Sequence, residues 1–300
     1  MTAVLEALVP AVLIAAYMKR VATLRRLGRE PSLGRQVCFV TGMLLLALTQ
    51  VTPLGELSRE LVSAHMLAHT LITDETALLL ALGLTGPVLG PLLGVPVLRQ
   101  LVHLFNPAAV LVLWAVLIGF WHLPGPYEAA AENPLLHIVQ HGSFLFAGLG
   151  LWLTVFGPFP QPRWFNAGAR IGLVVVVHLF NMALSNALMF SGSPFYESYA
   201  ATAAARGVDP LTDQGIAGGI LMAQGFVVML GVLAWELLRW AREETVRQEL
   251  LDFARERGVE LDEERARRAA RSGSAQKLRE RIEAQAARRP VGDSGVRGET

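Results

Sequence analysis

The chain of 300 residues contains seven stretches in which apolar residues run nearly unbroken for the length of a membrane-spanning helix. A helix needs roughly 20 apolar residues to cross a bilayer. Hydrophobic residues make up 53% of the chain and charged residues 17%, a balance that argues against a soluble globular protein. We therefore predict an all-α fold, a polytopic bundle of seven transmembrane helices in the lipid bilayer. The predicted spans are residues 2–18, 36–54, 63–84, 101–121, 135–156, 170–190 and 214–238.

Charged residues divide the sequence into two parts. Residues 1–238 hold 11 of the 26 Lys and Arg residues and 12 of the 25 Asp and Glu residues, and the last 62 residues hold the rest. We predict a transmembrane domain over residues 1–238. Residues 239–300 are expected to form a charged cytoplasmic tail, helical at first and disordered toward its end.

The basic residues of the short loops orient the bundle, because cytoplasmic loops are enriched in Lys and Arg. An outside N-terminus and an inside C-terminus place nine basic residues in the inner loops and only Arg59 and Arg206 in the outer ones. The nine are Lys19, Arg20, Arg25, Arg26, Arg29, Arg35, Arg99, Arg163 and Arg170. Because basic residues follow the first apolar stretch and none precedes it, we expect a retained first helix and no cleavable signal peptide.

The third span has two predicted positions. Asp74 and Glu75 lie in the middle of residues 63–84, where charged side chains are costly. The span can instead cover residues 76–98, with the preceding histidine-containing segment lying in the outer interface. Both positions leave His65 and His69 on the external side.

Five of the seven histidines are predicted to meet at the outer membrane boundary. His65 and His69 begin span three, His122 ends span four, and His137 and His141 begin span five. They come from three helices, and Asp213 opens span seven at the same level. His178 lies near the middle of span six, and His103 starts span four from the inside.

The spacing of these histidines favours metal binding. Residues four apart on a helix lie on one face about 6 Å apart along the axis, so that two imidazoles can bind one ion. Imidazole binds copper, zinc, iron and nickel, and a thioether favours cuprous copper. Met66 adjoins His65, so the local chemistry permits copper. The single Cys38 offers no disulfide and no paired thiolate site, and the formal net charge of +1 gives no reason to expect nucleic acid binding.

Three segments resemble the CtaG-type cytochrome c oxidase assembly proteins, which are bacterial seven-span membrane proteins. The segments are SAHMLAH (63–69), FWHLPGPYEAAAENPLLHIVQHGSFLFAG (120–148) and DQGIAGGILM (213–222). The resemblance covers roughly residues 10–238, and its most specific part is the Trp-His-x-Pro sequence followed by a His-x-x-x-His start. The chain departs from the usual family pattern at TLITDETALLL, where Asp74 and Glu75 interrupt the apolar run.

The resemblance implies a non-enzymatic factor in the bacterial inner membrane that helps to mature the copper centre of cytochrome c oxidase. It implies copper as the bound metal, and oxidase subunits or a periplasmic copper chaperone as partners, with homo-oligomerisation left open. It also implies the metal ligands His65, Met66, His69, His122, His137, His141 and Asp213.

Two other functions stay open at this stage. A haem-binding membrane oxidoreductase would need one histidine from each of two facing helices, with His122 or His178 in such a pair. A metal transporter would place polar ligands near the membrane midplane, where His178, Asp74 and Glu75 are the candidates.

Overall fold

The computed structural model describes residues 2–95, 106–159, 161–162 and 164–287, and it contains helices and no strand over these ranges. The all-α prediction is therefore confirmed for them. A π-helical segment, π1 (Leu71–Thr76), joins α4 to α5. The α-helices are α1 (Thr2–Arg26), α2 (Leu33–Val51), α3 (Pro53–Leu57), α4 (Val62–Thr70), α5 (Ala77–Gly83), α6 (Gly86–Leu93), α7 (Pro107–Trp121), α8 (Pro124–Glu132), α9 (Pro134–Phe156), α10 (Ala167–Met189), α11 (Glu197–Ala205), α12 (Pro210–Glu256), α13 (Glu263–Ser272) and α14 (Ala275–Ala287).

Five helical segments of the described residues are long and apolar enough to cross a membrane. They coincide with predicted spans two, three, five, six and seven, so that the chain is a helical membrane protein. A further candidate is α7 followed by α8, a pair bent by 69° that together passes the same test. Helix α1 covers the first predicted span without being among the five. Residues 101–105, the start of predicted span four, and His103 within it lie outside the described residues. The total of seven spans and their orientation stay predictions.

The third span is one continuous helical segment, Val62–Gly83, that runs through both acidic residues. It therefore follows the first of its two predicted positions. Asp74 and Glu75 lie in π1, and Asp74 is buried. A π-helical turn holds one residue more than an α-helical turn and is often found at functional sites. It changes the helix face that α5 presents relative to the face that carries His65 and His69.

Helix α9 lies at the centre of the membrane part. It packs against α5, π1 and α7, while α2 packs against α1, α5 and π1. Its start is fixed by Asn133, whose side-chain oxygen accepts hydrogen bonds from the backbone N–H groups of Leu135 (2.9 Å) and Leu136 (3.3 Å), and by Pro134 in the first turn. This start places His137 and His141 in the first two turns of α9.

Helix α11 contacts both α8 and the turn that follows α3 at the histidine end of the bundle. The Thr202 hydroxyl on α11 donates to the Glu60 carbonyl oxygen (2.7 Å), and the Ser198 N–H donates to the Glu128 carboxylate of α8 (3.3 Å). Arg206 and Glu60 form an ion pair. These contacts hold the connections around the histidines in a defined arrangement.

The chain forms two compact units, Met1–Leu230 and Gly231–Thr300. In the second unit, charged helices enclose a small apolar cluster to which Leu250, Leu278 and Ile282 contribute, each at most 6% exposed. Asp262 accepts a hydrogen bond from the Arg265 N–H (3.1 Å) and so caps α13. The helical part of the tail thus extends to Ala287 and has a core of its own, which its charge pattern did not predict. The predicted disordered end, from residue 288, lies outside the described residues.

Candidate metal centre

The structure brings together all five histidines that the sequence places at the outer boundary. His65 and His69 lie on α4, His122 follows the last residue of α7, and His137 and His141 lie on α9. We call these five residues the histidine cluster. Four of them are at most 9% exposed, and His137 is partly exposed, so that the cluster has one accessible end.

Ring distances show which histidines can share an ion. With metal–nitrogen bonds of about 2.1 Å, two imidazoles on one ion have ring centroids roughly 5 to 6.5 Å apart. Four pairs fall in this range, and each joins two different helices. These are His65–His137 (5.7 Å), His65–His141 (6.2 Å), His69–His141 (5.1 Å) and His69–His122 (6.2 Å).

The two rings of each His-x-x-x-His pair lie closer together, with centroids 4.0 Å apart in both pairs. From the spacing alone, the two imidazoles of each such pair can bind one ion. The structure adds a ligand from the facing helix, because α4 and α9 face each other across the cluster. One ligand nitrogen from each of His65, His137 and His141 lies within 4.8 Å of the other two, a spacing suited to one metal ion.

A hydrogen-bond network orients His65. Its Nδ1 lies 3.0 Å from the Ser58 carbonyl oxygen and 2.8 Å from the Tyr199 hydroxyl, which itself donates to Ser58 (3.0 Å). Burial raises the pKa of the Tyr199 phenol, which therefore remains a donor. Because the Ser58 carbonyl oxygen can only accept, a hydrogen bond to it from His65 requires the proton on Nδ1. Nε2, which has no hydrogen-bond partner among the described residues, then keeps its lone pair for a metal.

His122 is oriented in the same way. Its Nδ1 donates to the Ile118 carbonyl oxygen (2.7 Å), and its buried Nε2 has no described hydrogen-bond partner. His141 places Nδ1 3.0 Å from the side-chain amide nitrogen of Gln50, again with Nε2 unpartnered, and a turned-over amide group would bring the Gln50 oxygen to the same place. Metal binding through this Nε2 requires the Gln50 amide oxygen to accept from Nδ1–H. His122 and His141 therefore show the pattern of metal-binding histidines, with one nitrogen anchored and the other unpartnered.

His69 is 4% exposed, and neither of its ring nitrogens has a hydrogen-bond partner among the described residues. Its ring packs edge-on against Phe144, with centroids 4.5 Å apart. A buried imidazole without partners loses its hydration and gains no hydrogen bond in return. A metal ion bound to His69 would compensate for that loss.

The structure places the two remaining predicted ligands beside the cluster. Met66 is fully buried in an apolar cluster with Tyr127 and Tyr199. The Asp213 carboxylate accepts hydrogen bonds from the backbone N–H groups of Val62 (2.7 Å) and Ser63 (3.2 Å) and from the Ser63 hydroxyl. Asp213 therefore caps the N-terminus of α4, the helix that carries His65 and His69. Its negative charge also interacts favourably with the positive end of the helix dipole.

Sequence reasoning missed the residues that surround and orient the histidines. Tyr127 stacks on Tyr196 with centroids 3.7 Å apart, and Tyr196 donates to the His122 carbonyl oxygen (3.0 Å). Tyr199, Ser58 and Gln50 were also missed. One available signal was that three of the four tyrosines lie in the predicted outer connections. His178, in contrast, lies on α10 and makes its described ring contact with Phe226.

Comparison with known sequences identifies the family of the chain. Residues 15–243 match the family described as cytochrome c oxidase caa3 assembly factor. The chain belongs to this family. The match covers the membrane part with all five members of the histidine cluster, and it confirms the resemblance carried by the SAHMLAH and FWHLPGPY segments.

Two mycobacterial proteins are also similar to this family member. Uncharacterized protein Mb0105 of Mycobacterium bovis and uncharacterized protein MT0111 of Mycobacterium tuberculosis are each 26% identical to it over 255 residues. The similarity covers 78% of this chain and 38% of each relative, so the chain spans about two-fifths of their length. No solved structure matches the chain.

Proposed function

We propose that the chain binds copper at the histidine cluster and supplies it for maturation of the copper centre of a cytochrome c oxidase. The observation that carries the proposal is the convergence of five histidines. In His65, His122 and His141 the buried Nε2 has no described hydrogen-bond partner, and in His69 neither ring nitrogen has one. Membership of an oxidase assembly family supports the link to the oxidase. The role needs no catalysis, since the metal is cargo.

Imidazole ligands suit a protein that must release its metal. A closed set of four thiolates holds an ion for structural purposes, whereas a set of neutral imidazoles with an open position permits ligand exchange. The partly exposed His137 gives the cluster the accessible end that exchange requires. Cuprous copper accepts imidazole and thioether ligands in small coordination numbers, so two or three of these histidines are sufficient for one ion.

The proposed setting is the outer face of a bacterial inner membrane, with the N-terminus outside and seven spans. The outer connections in this topology carry several carboxylates and few basic residues, which raises the local concentration of cations. The proposed partners are oxidase subunits or a periplasmic copper chaperone.

Cavity size favours a bare ion over haem. The cavity that touches His69 and His122 has a volume of about 30 Å³, far too small for a porphyrin. A larger cavity of about 760 Å³ is lined mainly by apolar side chains, and no histidine is among its described lining residues. A haem ligated by the histidine cluster would require the helices to separate.

The copper content of the purified protein tests the proposal. After loading with cuprous ion and desalting in detergent, mass spectrometry is expected to find about one copper ion or more per wild-type chain. A variant with His137→Ala and His141→Ala is expected to retain about one ion fewer per chain, because it loses two of the three histidines nearest the accessible end. His178→Ala is the control and is expected to behave as wild type. Equal copper in all three proteins would contradict the proposal.

A further inference from the structure

A small cavity lies beneath the part of the histidine cluster that is farthest from His137. It has a volume of about 30 Å³, enough for a metal ion or a water molecule. The polar and sulfur-containing residues that line it include Met66, His69, Asp74, His122 and Asn181. These side chains come from α4, π1, α10 and the end of α7, so that the cavity lies between these segments.

The two histidines of this cavity are not among the three whose ligand nitrogens lie within 4.8 Å of one another, although the His69 ring lies 4.0 Å from the His65 ring. The rings of His69 and His122 are 6.2 Å apart, which is near the upper limit for one shared ion and matches the nearly linear geometry of two-coordinate cuprous copper. The Nε2 of His122 and both nitrogens of His69 lack described hydrogen-bond partners. Both side chains are more than nine-tenths buried.

Asp74 supplies the charge that a buried cation needs. Its side chain is 7% exposed, and no basic side chain of the described residues pairs with it. A carboxylate in such surroundings is costly unless a proton or a cation neutralises it, and a cuprous ion held by the neighbouring histidines can take the place of the proton. One cuprous ion between His69 and His122, beside an ionised Asp74, gives a local group with no net charge. The π-helical segment is what places Asp74 in the same cavity as the histidines.

We propose that the histidine cluster contains two successive copper positions, and that His69, His122 and the lining side chains Met66 and Asp74 form the inner one. The outer position consists of His65, His137 and His141. The ring of His141 lies 6.2 Å from His65 and 5.1 Å from His69, so that it can exchange an ion between the two positions. This inference rests on the proposed function and adds an internal reservoir to it.

Copper stoichiometry tests the inner position. The purified full-length chain is titrated with cuprous ion buffered by bicinchoninate, and the bound copper per chain is measured. The wild type is expected to bind about two ions, and His122→Ala about one. The isosteric Asp74→Asn variant is expected to keep the outer ion and to bind the inner one about tenfold more weakly. Thermal unfolding checks that each variant is folded, and Asp74→Asn decides the matter if His122→Ala is not.

Each outcome bears on a different claim. A wild type that binds one ion, with the same affinity after His122→Ala or Asp74→Asn, would overturn the inner position and leave the proposed function in place. Two ions that persist in both variants would also overturn it, since the second ion would then lie elsewhere. A wild type that binds no copper would overturn the proposed function and the inner position together.

Discussion

Cells that carry His137→Ala and His141→Ala in this chain are expected to assemble a cytochrome c oxidase that contains haem but almost no copper. The two substitutions remove the ring at the accessible end and the ring that lies between the two halves of the cluster. Copper then has no path through the cluster even if the inner histidines still bind it. Because successive ligand losses compound, we expect the copper-to-haem ratio of the oxidase to fall by about tenfold or more.

The measurement uses a strain that lacks the native gene and produces either the wild type, the double variant or His178→Ala. Oxidase is purified from each strain, and copper is determined relative to haem. The His178→Ala strain controls for the loss of a membrane histidine that has no ring contact with the cluster. An oxidase with full copper in the double-variant strain would show that the histidines are not needed for its maturation.

Gly148→Ala is expected to lower the stability of the protein more than alanine does at either of the other two glycines of α9. A Cβ atom at residue 148 would lie 1.9 Å from the Thr73 carbonyl oxygen and 3.0 Å from the Ala77 Cβ. The obstacle is the backbone of π1, which cannot move as a side chain can. The helices must therefore separate, at a cost of about 3 kcal/mol or more, which corresponds to a fall of about 10 °C in the unfolding temperature.

Two glycines on the same helix provide matched controls. A Cβ at Gly142 would contact nothing within 4 Å, and one at Gly150 would lie 3.8 Å from a Val110 methyl group. Alanine at either position is expected to leave the unfolding temperature unchanged or to raise it, because alanine favours helix. The measurement is thermal unfolding in detergent. A Gly148→Ala variant as stable as these controls would contradict the close packing of α9 on π1.

The sequence predicted the features of this protein that depend on local patterns. Apolar runs located the helices because a membrane-spanning helix must be apolar over its whole length. The four-residue spacing of His65 and His69, and of His137 and His141, placed each pair on one helix face. The order of the spans then brought both pairs to the same end of the bundle.

Features that depend on contacts between distant residues were not predicted. The ligand pairing across α4 and α9 depends on which helices are neighbours, and a single sequence does not contain that information. Asp213 illustrates the same limit, since its level in the membrane was inferred but its capping of α4, 150 residues away, was not. The π-helical turn at Asp74 was seen only as an unfavourable charge within an apolar run.

The tail shows how composition can conceal a structural pattern. Its dense mixture of charges predicted a solvated helix, yet Leu250, Leu278 and Ile282 are buried together. The spacing of Leu278 and Ile282 is that of one helix face, a pattern that becomes visible only when the charged residues are disregarded.

X-ray absorption spectroscopy of the copper-loaded wild-type protein tests the central claim most directly, because it reports the atoms bound to the metal. The account predicts a first shell of nitrogen at about 2.0 Å with the outer-shell scattering of at least two imidazole rings. Copper bound without imidazole scattering, or held only by sulfur, would contradict the assignment of the histidine cluster as the copper site.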